Sequence, residues 1–285
     1  MSRIAVLGAG TMGHGIAHAA LSAGYETRLF DVTESVLERG RAAIAAIVAK
    51  GVELGRTSAA DGEAMLSRLR TATDLAEILR KAAFVIEAAP EQIDLKLRLF
   101  GEIERLAPKH AVVTSNTSAL SITEMAATLT DPSRVAGMHF FNPVHKMKLV
   151  EIVRALHTSQ QTIDVVSEVA GKMGKETVLV KESPGFVTTR VNATIGNEAF
   201  YMLMEGVASA RDIDKALKLG LNHPMGPFEL VDLVGLDTRL SILEYLHRSL
   251  GEKYRPCPLL VEYVKDGRLG RKVGKGVYEY PSRSL

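Results

Sequence analysis

The sequence predicts an α/β protein, a mostly parallel sheet with helices on both faces, followed by a smaller all-helical domain. Three observations predict it. Short apolar runs alternate with helix-period segments as far as residue 183, the pattern of parallel strands joined by crossover helices. A glycine turn, Gly8-Ala9-Gly10-Thr11-Met12-Gly13, links the first apolar run to the first helical segment. Beyond Ser183-Pro184-Gly185 the strand pattern stops and helical periodicity takes over.

Strands are expected at 3–7, 26–31, 83–88, 111–115, 135–138, 148–153 and 176–180. Each is short, and the first, Arg3-Ile4-Ala5-Val6-Leu7, has the length and branching of a buried strand. Helices are expected between them, at about 12–23, 34–50, 61–69, 93–106, 121–129 and 159–173. Gly51, Gly55 and Arg56 break one helical stretch into a helix-turn-helix excursion from the sheet. In the second domain Val187, Val191, Ile195 and Ala199 recur every four residues, one face of a long helix. Further helices are expected at 210–219, 226–234, 236–250 and 257–266, with a strand signal at Val277-Tyr278. The domains are therefore 1–183 and 184–285.

The glycine turn has the G-x-G-x-x-G spacing of a dinucleotide-binding βαβ unit, and here it follows a strand and opens a helix. Gly8 suits the tight turn, Gly10 a close approach to pyrophosphate, and Gly13 the packing of helix on strand. The helix N-terminus offers unpaired N–H groups to the anion. Asp31 falls 18 positions after Gly13, at the end of the second strand. A carboxylate there accepts from an adenosine ribose hydroxyl and repels a 2′-phosphate, which favours NAD over NADP. The alternative is a glycine turn in another α/β fold, with Asp31 capping the next helix.

Net charge is +2, too mild for a nucleic-acid partner. Hydrophobic residues make up 46% and charged residues 24%, which fits a soluble globular chain. No apolar stretch is long enough to cross a bilayer, so no membrane partner is expected. Cys257 is the one cysteine, which excludes an intrachain disulfide and fits a reducing, cytoplasmic compartment. The first residues enter a strand pattern directly, so no secretory leader is expected. His14 and His18 are four apart on the first helix but lack a third ligand, so no metal site is expected.

Oxidising an alcohol requires a base that takes the hydroxyl proton as hydride departs, and histidine suits that role near neutral pH. His139 ends the strand Val135-Ala136-Gly137-Met138, at the sheet edge where ligands of open α/β sheets bind. Glu151 is a charge inside the apolar run Leu149-Val150-Glu151-Ile152-Val153. A buried carboxylate needs a partner, and an imidazole would be held and made more basic by it. The alternative is an edge-strand glutamate facing water. Ser115-Asn116-Thr117-Ser118 ends another strand at the same edge, where its polar groups can meet cofactor or substrate. The alternative for these is a helix cap, although Ser121 with Glu124 already has capping-box form.

Together these motifs resemble the L-3-hydroxyacyl-CoA dehydrogenase family, of the short bacterial 3-hydroxybutyryl-CoA dehydrogenase type. The resemblance spans the whole chain. It rests on Gly8–Gly13, Ser115–Ser118, His139-Phe140-Phe141-Asn142-Pro143, Lys148–Glu151, Ser183–Phe186, Pro224-Met225-Gly226-Pro227-Phe228-Glu229-Leu230 and Gly235-Leu236-Asp237. It implies a Rossmann-type NAD domain and a helical domain for dimerisation and substrate. The expected activity is reversible oxidation of 3-hydroxyacyl-CoA by a homodimer. It places the base on His139, its carboxylate on Glu151 and the substrate-oxygen donor on Ser118. Glu91 and Lys96 match the family's pair near the nicotinamide ribose, with Asn116, Thr11 and Met12 also on the cofactor side. Asn142 matches a substrate-adjacent loop, and Lys50 and Arg56 would approach the CoA phosphates. One departure stands out. The family's Pro-Gly-Phe-x-x-Asn-Arg reads Pro184-Gly185-Phe186-Val187-Thr188-Thr189-Arg190 here, so Thr189 replaces an asparagine at a substrate-binding position. Asn192 lies one turn further on the same helix face. Relatives of this fold that act on free hydroxy acids such as L-gulonate, or serve as crystallin-like binding proteins, set two other readings.

Overall fold

The computed structural model describes residues 3–281. The chain divides into two compact units, Met1–Glu182 and Ser183–Leu285.

In the first unit β1 (Arg3–Leu7) leads through the glycine turn into α1 (Thr11–Ser22), and β2 (Glu26–Phe30) into α2 (Glu34–Glu53). Next come α3 (Ala59–Ser67), β3 (Leu69–Ala72), α4 (Leu75–Leu79), β4 (Phe84–Glu87) and α5 (Ile93–Leu106). Then follow β5 (Val112–Ser115), α6 (Ile122–Ala126), β6 (Val135–Phe140), β7 (Leu149–Arg154), α7 (Gln160–Lys172) and β8 (Glu176–Lys181). The eight strands form one sheet in the order β3-β2-β1-β4-β5-β6-β7-β8. Every pairing is parallel except β6 with β7. The order turns back at β1, flanked by β2 and β4, which is where open α/β sheets bind ligands.

The strand runs behave as their composition demands. Ile4 through Leu7 and Phe84 through Ile86 are fully buried, as strands covered by helices on both faces must be. α5 is amphipathic, burying Phe100 and Ile103 against the sheet, and it also buries Lys96.

Four expectations need correction. β6 runs on through Phe140, so His139 sits inside the strand rather than past its end. β3 and α4 have no counterpart among the expected elements: Leu69-Arg70-Thr71-Ala72 is half polar because it forms the sheet edge, and α4 is barely more than a turn. α6 is shorter than expected, starting after Ser121, whose side chain caps the Glu124 amide. Val277-Tyr278 is not a strand. Both amides donate instead to the Asp232 carboxylate, at 2.8 and 2.9 Å.

The second unit is helical: α8 (Thr188–Met204), α9 (Ala210–Gly220), α10 (Pro227–Val234), α11 (Leu236–Leu250) and α12 (Pro258–Lys265). Its core gathers Ala193, Ala199, Phe200, Phe228, Leu236, Leu243, Leu246 and Cys257. The buried face of α8 is 193/196/197/199/200, which keeps Ala199 of the expected stripe, whereas Val187 and Val191 are more than half exposed. A strict four-residue stripe drifts around a helix of 3.6 residues per turn, so it misplaces the first turn.

On α1, His18 has a shielded Nδ1 with no hydrogen-bond partner, and His145 stands edge-on at 6.4 Å. Burial, then the neighbouring His145, Lys175 and His14, hold its pKa to about 4. An unfolded histidine titrates near its ordinary value of 6.5. The unfolded chain therefore takes up a proton first, and this contribution to stability is full above 6.5 and lost as pH falls toward 4. The thermal midpoint should fall between pH 7 and pH 5, and His18→Leu should flatten that fall. Equal slopes for the two proteins would refute the assignment.

Candidate active site

The centre of the site is one rung of the sheet. His139 on β6 lies opposite Glu151 on β7 in the antiparallel register. Directly opposed residues in an antiparallel pair project from the same face, with Cβ atoms roughly 5 Å apart. The side chains meet there: His139 Nδ1 lies 2.7 Å from Glu151 Oε2. Glu151 is fully buried and His139 is 5% exposed. The water-facing alternative for Glu151 is excluded, because β8 lies outside β7 and covers it. An ionised carboxylate only accepts, so Nδ1 carries the hydrogen and Nε2 is the basic nitrogen. The Phe141 ring packs at 4.6 Å from the imidazole.

The ends of β4 and β5 carry a second, charged cluster. Lys96 Nζ donates to Glu87 Oε1 at 2.6 Å and to the Ala89 carbonyl at 3.1 Å, and lies 3.5 Å from Glu91 Oε2. Both Lys96 and Glu87 are buried. Glu87 also accepts from the Ala89 amide at 2.6 Å and the Ser115 hydroxyl at 2.5 Å. Glu91 Oε1 accepts from the Thr117 hydroxyl at 2.6 Å and from the Ser118 amide at 2.8 Å. The loop bearing Ser118 is thus tied to the Glu91–Lys96 pair. Asn116 Oδ1 accepts from the Phe140 amide at 2.8 Å, fixing that loop beside the strand of His139. Sequence reasoning misses Glu87, although it ends an apolar run just as Glu151 interrupts one.

The glycine turn completes the sheet edge. Gly8 has φ +106, and a Cβ there would meet the Ala88 carbonyl at 2.6 Å. A Cβ on Gly13 would fall 1.7 Å from the Gly8 carbonyl, so its glycine serves turn and helix packing. Gly10 differs: a Cβ there meets nothing within 4 Å. Its bareness has no packing cause among the described residues and fits close passage of a pyrophosphate. Thr11 and Met12 open the first turn of α1 beside it. Asp31 Oδ2 accepts from the Ala9 amide at 2.9 Å and Oδ1 from the Val32 amide at 2.8 Å. Thr33, not Asp31, is the cap residue of α2, so the capping alternative fails. The donor set fits NAD: a turn shaped for pyrophosphate, and a carboxylate beside it for a ribose.

The remaining residues lie elsewhere. Asn142 is exposed just after β6, and its bond to Pro143 is cis. Lys50 and Arg56 are exposed on the α2–α3 excursion, with Lys50 bonded to Glu53 at 2.6 Å. Thr189 belongs to the second unit, in the first turn of α8, followed by Arg190, whose Nε donates to the Tyr254 hydroxyl at 2.7 Å.

Residues 3–183 match the family model for the 3-hydroxyacyl-CoA dehydrogenase NAD-binding domain, and residues 185–280 match the C-terminal domain of the same family. The chain is 46% identical to a Bacillus subtilis protein named a probable 3-hydroxybutyryl-CoA dehydrogenase, covering 100% of this chain and 99% of that one. It is 42% identical to a Bradyrhizobium diazoefficiens 3-hydroxybutyryl-CoA dehydrogenase over 98% of this chain and 96% of the relative. It superimposes on the crystal structure of a Ralstonia eutropha (S)-3-hydroxybutyryl-CoA dehydrogenase with TM-score 0.95 and 40% identity, covering 99% and 100% of the two chains.

The two glycines should separate by substitution. Gly13→Ala should cost about 2–3 kcal/mol in denaturant unfolding, because backbone must move. Gly10→Ala should leave stability unchanged and weaken NADH binding at least about tenfold, measured by fluorescence titration. Undiminished NADH affinity in Gly10→Ala would contradict the pyrophosphate placement.

Proposed function

The chain belongs to the 3-hydroxyacyl-CoA dehydrogenase family, and on that premise we propose that it reversibly oxidises L-3-hydroxyacyl-CoA, with 3-hydroxybutyryl-CoA as substrate, to the 3-oxoacyl-CoA. Its cofactor is NAD. The observation that carries the reading is the buried His139–Glu151 pair at the carboxyl edge of the sheet.

When bound, NAD supplies the acceptor for the hydride from C3. His139 Nε2 takes the proton of the C3 hydroxyl as the carbonyl forms. Glu151 holds the ring in the tautomer that leaves Nε2 basic, then faces the imidazolium with a full negative charge at hydrogen-bond distance. In the reductive direction the same imidazolium returns the proton to the oxygen. Ser118 donates to the reacting oxygen, and its backbone is steadied through Glu91. Lys96, Glu91 and the Asn116 amide group serve the nicotinamide ribose side, Asp31 the adenosine ribose. Asn142 borders the substrate. Lys50 and Arg56 meet CoA phosphates. The Lys50–Glu53 pair is exposed, and such pairs contribute only about 0–1 kcal/mol, so an incoming phosphate displaces the glutamate readily. Thr189 supplies one hydroxyl where the family motif has an amide, which bears on acyl preference.

The chain also assembles as a homodimer in this reading. Its helical unit exposes Val191, Val207, Leu219, Leu221 and Leu233, and a second copy is the occupant that family membership favours. The lone buried thiol of Cys257 is compatible with a cytoplasmic setting. Among the described residues no helix is long and apolar enough to cross a membrane.

His139→Gln should lower kcat for acetoacetyl-CoA reduction by about 10²–10⁴ while NADH still binds. A change of only a few-fold would remove the base from His139. Equal activity on free 3-hydroxybutyrate and its CoA thioester would instead remove CoA from the substrate.

A further inference from the structure

The loop that joins β6 to β7 touches both the base and the cofactor helix. At its start the Phe141 ring lies 4.6 Å from the His139 imidazole, inclined by 51°. The hydrogen bond at Nδ1 fixes one end of the imidazole but not the tilt of the ring about that bond. An aromatic neighbour restricts that tilt, and with it the direction in which the Nε2 lone pair points. Further along, Val144 is buried, and a Cβ on Gly15 of α1 would lie 2.9 Å from the Val144 Cβ. The glycine therefore lets the loop seat on the helix that the Gly8–Gly13 turn opens.

The loop folds on itself through Pro143, whose carbonyl accepts from the Lys146 and Met147 amides at 2.9 and 3.0 Å. Two more of its carbonyls converge on one side chain. Lys175, between α7 and β8, donates from Nζ to the Val144 carbonyl at 2.5 Å and to the Met147 carbonyl at 2.9 Å. Burial lowers its pKa, and no carboxylate opposes that shift. Its donors are thus spent on the loop rather than on an ion pair. Hydrogen bonds from an ammonium are roughly twice as strong as neutral ones. The base of the clamp is itself fixed: the Lys175 amide donates to the Ala170 carbonyl at 3.0 Å, and the Glu176 amide to the Lys148 carbonyl at 2.9 Å.

We propose that Lys175 is a positioning residue for hydride transfer: by clamping Val144 and Met147 it holds Phe141 against His139 and seats the loop on the cofactor helix. This rests on the assignment of His139 as the base.

The test is NADH-dependent reduction of acetoacetyl-CoA. Lys175→Met should lower kcat at least about tenfold, since small misplacements of reacting groups are costly. The KM values and NADH affinity should stay within about threefold, because the loss falls on the transition state. Lys175→Arg, which can still donate to both carbonyls, should recover most of kcat. Phe141→Leu combined with Lys175→Met should cost no more than the larger single loss, because both act through one contact. A kcat within about twofold of wild type in Lys175→Met, a loss carried by KM, or fully additive losses would each overturn the proposal. Gly15→Ala leaves Lys175 in place and pushes Val144 from the α1 side. It should lower kcat likewise, and an unchanged kcat there overturns the proposal even if Lys175→Met does not fold. The His139 Hε1 resonance, displaced by the Phe141 ring, should move in Lys175→Met in the same direction as in Phe141→Leu. Lack of wild-type activity would reject the dehydrogenase reading, while that resonance still judges the clamp: a signal unmoved in Lys175→Met overturns it.

Discussion

The antiparallel rung between β6 and β7 is the constraint on which the site depends. In a wholly parallel sheet, residues from neighbouring strands align at their carboxyl edges but do not exchange paired hydrogen bonds. Reversing β7 makes position 139 face position 151 squarely. The imidazole and the carboxylate then meet at 2.7 Å without distortion of either strand. β8 runs parallel to the reversed β7 and covers it. That cover removes water from Glu151, and without water the carboxylate's interaction with the ring strengthens. A one-residue slip in this pairing would send one partner to the opposite face. The apolar residues around the pair, Met138, Phe140, Val150 and Ile152, are buried in the same two strands and hold the register.

A second dependence runs through Lys96. Two carboxylates, Glu87 and Glu91, share its one ammonium, and they hold it unequally, at 2.6 and 3.5 Å. Glu87 is fully buried and saturated by Ala89 N, Ser115 Oγ and Lys96. Glu91 is the exposed member, and its other oxygen is spent on the loop of Thr117 and Ser118. The arrangement ties the Lys96–Glu87 pair to the Thr117–Ser118 loop through one exposed carboxylate, Glu91. Removing one partner of a buried ion pair typically costs about 3–5 kcal/mol, so Glu87 and Lys96 also hold the sheet edge together. Position on the fold and position in the chemistry coincide here.

Much of this was legible in the sequence, for identifiable reasons. Strands β1 and β4 are mostly apolar runs, and such runs are read directly. The glycine turn is read because its spacing maps onto one geometry. Glu151 and His139 were legible because a charge in an apolar strand demands an explanation. What was not legible depends on partners. Strand β3 owes its existence to pairing with β2 and carries a mixed sequence. The reversal at β7 has no local signature, since strand direction is set by connection length and packing. Val277 and Tyr278 have strand-like side chains, yet their amides are taken by a side-chain carboxylate 45 and 46 positions away. Glu87 escaped notice because it stands at the end of its run, where a terminal glutamate reads as a turn residue.

The helical unit shows how buried charge separates scaffold from site. Asp232 is buried and accepts from Val277 N, Tyr278 N and the Tyr280 hydroxyl at 2.8–2.9 Å. Asp214 is buried and accepts from Phe228 N, Glu229 N and the Tyr278 hydroxyl. Burial and the neighbouring Asp214 push the Tyr278 hydroxyl well above its ordinary value, so it stays a donor. The backbone is shaped for these contacts: a Cβ at Gly226 would lie 2.3 Å from Asp214, and one at Gly276 would lie 2.1 Å from Asp232. Neither carboxylate has a cation in its hydrogen-bond set; at Asp214 burial raises the pKa, and the Tyr278 hydroxyl and the Phe228 and Glu229 amides oppose that rise. Each is complete, and each fastens the segment after α12 to the helices before it. Arg239 has the same burial and none of that completeness. Where a buried charge in this unit is structural, partners surround it to saturation. Its guanidinium has one hydrogen bond among the described residues, to Asn192 Oδ1 at 3.2 Å, and its buried Nε has none, so burial acts on this charge without the donors and acceptors that complete Asp214 and Asp232.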